Sequence, residues 1–132
     1  MMKNPTKAPV ELDEYTPLTE KIIGCAFRVS NELGPGFLEK VYENALSHEF
    51  SKMDIPFQRQ VHLVVQYDGV VVGDYIADFV IDDRVILELK AIKSLDETHE
   101  AQGINYLKAT SLRLCLLLNF GTRRIQIKRL AN

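Results

Sequence analysis

The sequence predicts an α/β fold, an α+β sandwich in which one β-sheet lies between helices, with elements in the order ααβββαββ. Three observations carry that expectation. Two helical patterns with apolar faces fill residues 16–52; the period switches to that of strands near residue 60, around an Asp68-Gly69 hairpin signal; and a helical stretch at 96–110 is followed by an apolar run at 112–120. The 132 residues suit one domain. With 46% apolar and 26% charged residues, the composition excludes a disordered or collagenous chain.

Residues 1–15, with Pro5 and Pro9 and no periodicity, are read as a flexible N-terminal arm, and residues 16–132 as a single domain. Thr16 is placed as an N-cap with Pro17 at the first helical position, and Leu18, Ile22, Cys25, Ala26, Val29 and Leu33 form one apolar face. Gly34-Pro35-Gly36 ends that helix. A second runs from Phe37 to Lys52, with Leu38, Val41, Tyr42, Ala45, Leu46, Glu49 and Met53 near one another at helical spacing, until Ile55-Pro56 stops it. Strands follow at Val61–Tyr67 and Val70–Ile81, the latter with a bend or bulge at Gly73, and at Val85–Ala91. After the third helix, the run from Leu112 to Phe120 reads as a buried central strand and Ile125–Leu130 as an edge strand.

Several classes of protein fall away. No window of about 18 apolar residues offers a membrane span, and Met1-Met2-Lys3-Asn4-Pro5 lacks the apolar core of a secretory signal, so a cytoplasmic location is expected. Cys25 and Cys115 lie in apolar surroundings without metal-ligand spacing and are expected to be buried, reduced thiols. The net charge of −2 hides an asymmetry. Residues 101–132 carry six basic residues and no acid, which leaves −8 on the first hundred. A basic end is either the footprint of a polyanion or a solvated basic edge, and charge alone leaves both open.

The chemistry concentrates between Tyr75 and Lys90. If Asp82-Asp83-Arg84 form a three-residue loop, Ile81 pairs with Val85 and Asp78 stands opposite Glu88, on the face that Lys90 shares; a two-residue loop would send Asp78 to the other face. The three-residue loop is the expectation. Two carboxylates about 5 Å apart repel by roughly 3 kcal/mol at an effective dielectric near 20. A shared proton, the neighbouring Lys90 or a divalent cation would compensate, and an oxygen-rich, partly open site suits Mg²⁺ or Mn²⁺. A purely structural ion-pair network is the bland alternative, but it leaves one carboxylate without a counter-charge. Glu39 shares a helical face with Tyr42 and Leu46, as either an inward acid or a helix-start acid favoured by the dipole. Gln102 and Tyr106, at i and i+4, share a face, with His99 one turn earlier.

Asp78 followed by Glu88-Leu89-Lys90 resembles the D…(D/E)-x-K signature of the restriction-endonuclease-like, PD-(D/E)XK nuclease superfamily. Gly36-Phe37-Leu38-Glu39-Lys40-Val41-Tyr42 is similar to the G-x-x-E-x-x-Y motif that names a family of small proteins assigned to it, and the resemblance continues through His99-Glu100-Ala101-Gln102 with Tyr106 and through Leu118-Asn119-Phe120-Gly121. It implies a mixed sheet flanked by helices and a metal-dependent nuclease acting on DNA or RNA. By position, Asp78, Glu88 and the Leu89 carbonyl would hold Mg²⁺ or Mn²⁺. Glu39 would complete or orient the shell, and Lys90 would steady the attacking water and the phosphate charge. Gln102, Tyr106 and Tyr42 would serve substrate or auxiliary roles, and Lys108, Arg123 and Arg124 would contact the nucleic-acid backbone. Ser30 stands where many members of the small family carry histidine or another larger polar residue, which weakens any histidine-containing shell. The alternative is a catalytically silent module that binds nucleic acid or protein. The exposed last strand leaves a homodimer open.

Overall fold

The computed structural model describes residues 14–132, and there the eight elements follow in the expected order. The arm predicted over residues 1–15 lies outside the described residues up to position 13. Helix α1 (Thr16–Leu33) buries Leu18, Ile22, Cys25, Ala26 and Val29 at intervals of three and four, the spacing of one helical face. Its N-cap is Tyr15 rather than Thr16, with helical backbone angles and no side-chain cap. A tertiary contact takes the place of a cap: the Arg84 guanidinium lies 5.0 Å from the Tyr15 ring centroid and donates to the Glu14 carbonyl at 2.7 Å. Gly34, at φ 67°, ends α1 and donates its N–H to the Ser30 carbonyl.

Helix α2 (Glu39–Lys52) starts two residues later than the pattern suggests, because Leu38 is extended and serves as its N-cap. Leu38 and Val41 are therefore exposed, and the buried stripe is Tyr42, Glu43, Leu46 and Phe50. Tyr42 closes the turn between the helices. Its hydroxyl donates to the Gly34 carbonyl at 2.6 Å and accepts from the Phe37 amide at 3.2 Å, and its ring stacks on Phe120 at 4.6 Å.

The remaining elements are β1 (Phe57–Tyr67), β2 (Val70–Ile81), β3 (Val85–Lys90), α3 (Glu97–Ala109), β4 (Leu114–Asn119) and β5 (Gln126–Ala131). The strands form one five-stranded mixed sheet in the order β1-β2-β3-β4-β5, with only β3 and β4 parallel. Helix α3 is the crossover that a parallel pair requires. One face of the sheet packs on α1 and α2 through Phe79, Ile81, Leu87, Leu89, Leu116 and Leu118; the other packs on α3 through Ala77, Ile86, Cys115 and Leu117. Both cysteines are free and buried, as expected. Strand β4 is buried along its whole length. Among the described residues no helix is long and apolar enough to cross a membrane.

The β1–β2 hairpin changes its inward face partway along. Phe57 and Phe79 meet the core under α1 and α2, whereas Val61, Leu63 and Ala77, also odd-numbered, meet the core under α3. A regular strand keeps one parity per face. The reversal falls at Gln60, whose φ of 51° breaks the strand, and opposite it at Asp78. This break explains why β1 begins at Phe57 although alternation is visible only from Val61. Nearer the turn, Val65 pairs with Gly73 and Gln66 with Val71, so the irregularity expected at Gly73 is a bulge with Val72 as the extra residue.

Close backbone approaches fix the crossover. A Cβ on Gly103 would lie 2.4 Å from Leu130 Cδ1, and one on Gly121 would lie 2.2 Å from the Ile92 carbonyl oxygen. Asn119, fully buried, uses both protons and both lone pairs of its amide: it donates to the Ile92 carbonyl and Gln126 Oε1 and accepts from the Ile92 and Gly121 amides. These contacts lock the segment after β3 to the turn after β4. Two glycines should therefore respond in opposite ways to alanine. Gly24, inside α1 with nothing within 4 Å of an added Cβ, should gain about 0.5–1 kcal/mol of stability on Gly24→Ala. Gly121→Ala should lose about 3 kcal/mol, with urea denaturation as the measurement.

Candidate active site

The ladder between β2 and β3 holds three pairs, Ile81 with Val85, Val80 with Ile86 and Phe79 with Leu87, and then the strands part. The turn is Asp82-Asp83-Arg84, with both aspartates at positive φ and the Arg84 amide bonded to the Ile81 carbonyl. This is the register that sets Asp78 opposite Glu88. Where the ladder stops, each carboxylate serves the other strand. Glu88 Oε1 accepts the Asp78 backbone N–H at 2.8 Å, and Asp78 Oδ2 accepts the Leu89 N–H at 2.8 Å. Side chains thus replace the backbone acceptors lost when the strands diverge.

Burial and like charge act together on this pair. Glu88 is 5% exposed, and burial followed by the Asp78 charge pushes its carboxyl up to about 8, against the Asp78 amide and the Lys90 charge. Burial also raises Asp78, with the Leu89 amide opposing it and the Glu43 charge adding to it. Lys90 is half-buried at the end of β3. Among the described residues its ammonium makes no ion pair, and its charge acts on Asp78, Glu88 and Glu39. Glu39 is exposed at the start of α2 rather than packed inward. Partial desolvation raises its carboxyl, with Lys90 opposing and Asp78 adding, which places Glu39 within electrostatic reach of both.

Behind Asp78 stands a group that the sequence reading overlooked. Glu43, buried on α2, accepts from Arg59 Nε at 2.9 Å, from Lys40 at 3.1 Å and from Gln60 Nε2 at 2.6 Å. Burial alone would raise its carboxyl, but the Arg59 and Lys40 bonds and charges prevail and hold it below the usual range. Gln60 Nε2 also approaches Asp78 Oδ1 at 3.4 Å, so the strained residue at the break links the two acids. The one available signal was position, since Glu43 follows Tyr42 and stands three residues before Leu46, on the buried stripe.

On the other side, Gln102 Nε2 donates to the Tyr106 hydroxyl at 3.0 Å. Tyr106 is buried, and its hydroxyl is raised by that burial and then by the charges of Glu88 and Asp78. His99 instead belongs to the start of α3, where its Nδ1 accepts the Asp96 amide in a reciprocal cap. Tyr42, as described, is occupied with the α1–α2 turn, and Ser30 is buried in α1. Lys108 is exposed on α3, and Arg123 and Arg124 are exposed in the turn after β4. Because β3 and β4 are parallel, that turn leaves the sheet at the end where Lys90 lies. Lys128 is drawn to Glu100 at 3.3 Å.

The oxygens of Asp78 and Glu88 are hard donors that lack enough positive charge nearby, which suits a divalent cation such as Mg²⁺. Among the described residues no three His, Cys, Asp or Glu side chains gather closely enough to hold a metal, so Glu39 stands apart from the pair.

A five-stranded mixed sheet with helices on both faces is consistent with the restriction-endonuclease-like class of fold. The chain belongs to the PD-(D/E)XK nuclease superfamily, which it matches over residues 16–130. No curated protein and no solved structure matches it.

The raised Glu88 carboxyl has a measurable consequence. With its folded value near 8 and its ordinary value at 4.5, the folded chain binds the extra proton between those limits, so stability falls as pH rises through that window. Denaturation in EDTA at pH 5 and pH 8 should show this loss in the wild type. Glu88→Gln, which keeps an acceptor for the Asp78 amide, should reduce it; an unchanged pH dependence would assign the loss to other groups.

Proposed function

We propose that the chain is a metal-dependent nuclease that hydrolyses phosphodiester bonds of DNA or RNA. The observation that supports this reading is the convergence of Asp78, Glu88 and Lys90 at the open end of the β2–β3 hairpin, with both carboxyls raised, first by burial and then by the neighbouring acids. Asp78 and Glu88 would hold Mg²⁺ or Mn²⁺, with the Leu89 carbonyl as a further donor and Glu39 orienting bound water from the start of α2. Such an ion, when bound, acts as a Lewis acid on the phosphate and lowers the pKa of water. Lys90 orients the attacking water and steadies the negative charge that builds on the phosphate oxygens. Gln60 and Glu43 keep the Asp78 carboxylate in place from behind. Gln102 and Tyr106 meet the substrate beside the scissile bond, and Lys108, Arg123 and Arg124 attract its backbone.

One observation favours a second reading, a nuclease-like binding module without turnover. The two carboxylates already have a structural task, closing the amides that the parting strands leave open, and that task needs no turnover. Hydrolysis separates the readings. Purified protein with Mg²⁺ or Mn²⁺ should cleave labelled nucleic acid, and EDTA should stop it. Lys90→Ala should lower the rate by about 10²-fold or more while leaving thermal unfolding near that of the wild type. Equal cleavage by Lys90→Ala would remove that residue from the chemistry; no cleavage with any divalent ion would favour the module.

A further inference from the structure

We infer that the groove between α3 and the β1–β2 hairpin is a track for a single strand of nucleic acid, with Tyr75 as its stacking platform. The inference rests on the nuclease reading and names the class of substrate. Two adjoining clefts, of about 590 Å³ and 360 Å³, share Tyr75 and Asn105 in their walls. The larger continues to Gln66 and Lys108; the smaller continues to Gln102 and Tyr106. The two clefts run along α3 from Gln102 and Tyr106 to Lys108, and Tyr106 lies within electrostatic reach of Glu88 and Asp78.

Its chemistry suits an unpaired strand. Tyr75 is 46% exposed, and its ring is tilted against Tyr106 at 5.7 Å, which holds the ring while leaving part of it open. Gln66, Gln102 and Asn105 offer amides that both donate and accept, the groups that meet base edges and ribose hydroxyls. No carboxylate lines either cleft among the described residues. A base within a duplex presents its faces to its neighbours in the stack and cannot reach Tyr75, whereas an unpaired base can. Scale agrees as well. From Gln102 to Lys108 along the helix is about 9 Å at 1.5 Å per residue, room for a short stretch of strand. With one lysine in the lining, stacking and hydrogen bonds carry more of the affinity than charge, so the dependence on salt is shallow.

The test is binding without turnover. Fluorescence anisotropy in EDTA compares labelled oligo(dT) and oligo(U) of about ten nucleotides with a duplex of the same length. A single strand should bind at least about tenfold more tightly than the duplex. Tyr75→Ala should weaken it by about 5- to 100-fold, the range for loss of one stacking contact. Tyr75→Phe should retain binding, and Tyr75→Leu, which keeps an apolar contact with Tyr106, should weaken it even if the alanine variant unfolds. Duplex binding as tight as single-strand binding, or wild-type affinity in Tyr75→Leu, would overturn the track. The two readings fail separately. Tyr75-dependent binding by a protein that cleaves nothing retires the nuclease and keeps the track, while metal-dependent cleavage indifferent to Tyr75→Leu does the reverse.

Discussion

The exchange of hydrogen bonds between Asp78 and Glu88 is the constraint around which the rest of the molecule is arranged. Two interior strands that separate leave backbone amides with no partner, and burying such groups unpaired costs about 1–3 kcal/mol each. Here each amide is answered by the carboxylate of the facing residue. The geometry that repairs the ladder also sets two acids side by side in a poorly solvated place, where they repel. Structure and reactivity are therefore coupled: the strands can open at this point because side-chain oxygens close the freed amides, and because those oxygens belong to acids, the opening sets two like charges in a buried place.

Everything nearby serves to hold that opening. Gln60 adopts a left-handed conformation, which costs a residue with a Cβ about 1 kcal/mol or more. The return is that its amide spans Glu43 and Asp78 and that the hairpin turns its apolar residues from one layer of helices to the other. Glu43 stays ionised through Arg59 and Lys40, so it anchors Gln60 and also adds negative potential behind Asp78. On the far side the Asn119 clamp and the contact at Gly121 fix where the chain leaves Lys90, which limits how far the lysine can move from the acids.

Much of this was legible in the sequence, and the reasons are specific. The register of Asp78 against Glu88 followed from parity once the turn was taken as three residues, because Asp82 and Asp83 tolerate positive φ. The interior strand was visible as the apolar run at 114–118, which the buried Asn119 ends. Other features depend on contacts distant in sequence. Thr16 lost the cap to Tyr15 through Arg84, nearly seventy residues away, and Leu38 and Val41 were misplaced because the α2 boundary depends on the Tyr42 latch to Gly34. Nothing in its residue type sets Glu43 apart from the other acids of α2. Only its burial beside Arg59 and Gln60, on a strand whose face reverses without any break in the pattern of residue types, gives it a role.

The charge asymmetry acquires a spatial meaning from the same arrangement. Part of the basic C-terminal segment is spent internally, Lys128 on Glu100 and Arg113 on the carbonyl of Asn132. Arg123 and Arg124 are left exposed in a turn that the parallel pairing of β3 and β4 brings to the Lys90 end of the sheet. A polyanion approaching that end would meet the exposed Arg123 and Arg124 as well as the acids, and with the Glu88 carboxyl pushed up to about 8 the pair carries less negative charge at neutral pH than two free carboxylates would. Without that reduction the pair would repel a phosphate. Partial protonation thus lowers the barrier to an anion's approach, and a cation shared by the two carboxylates would lower it further while restoring both to the ionised state.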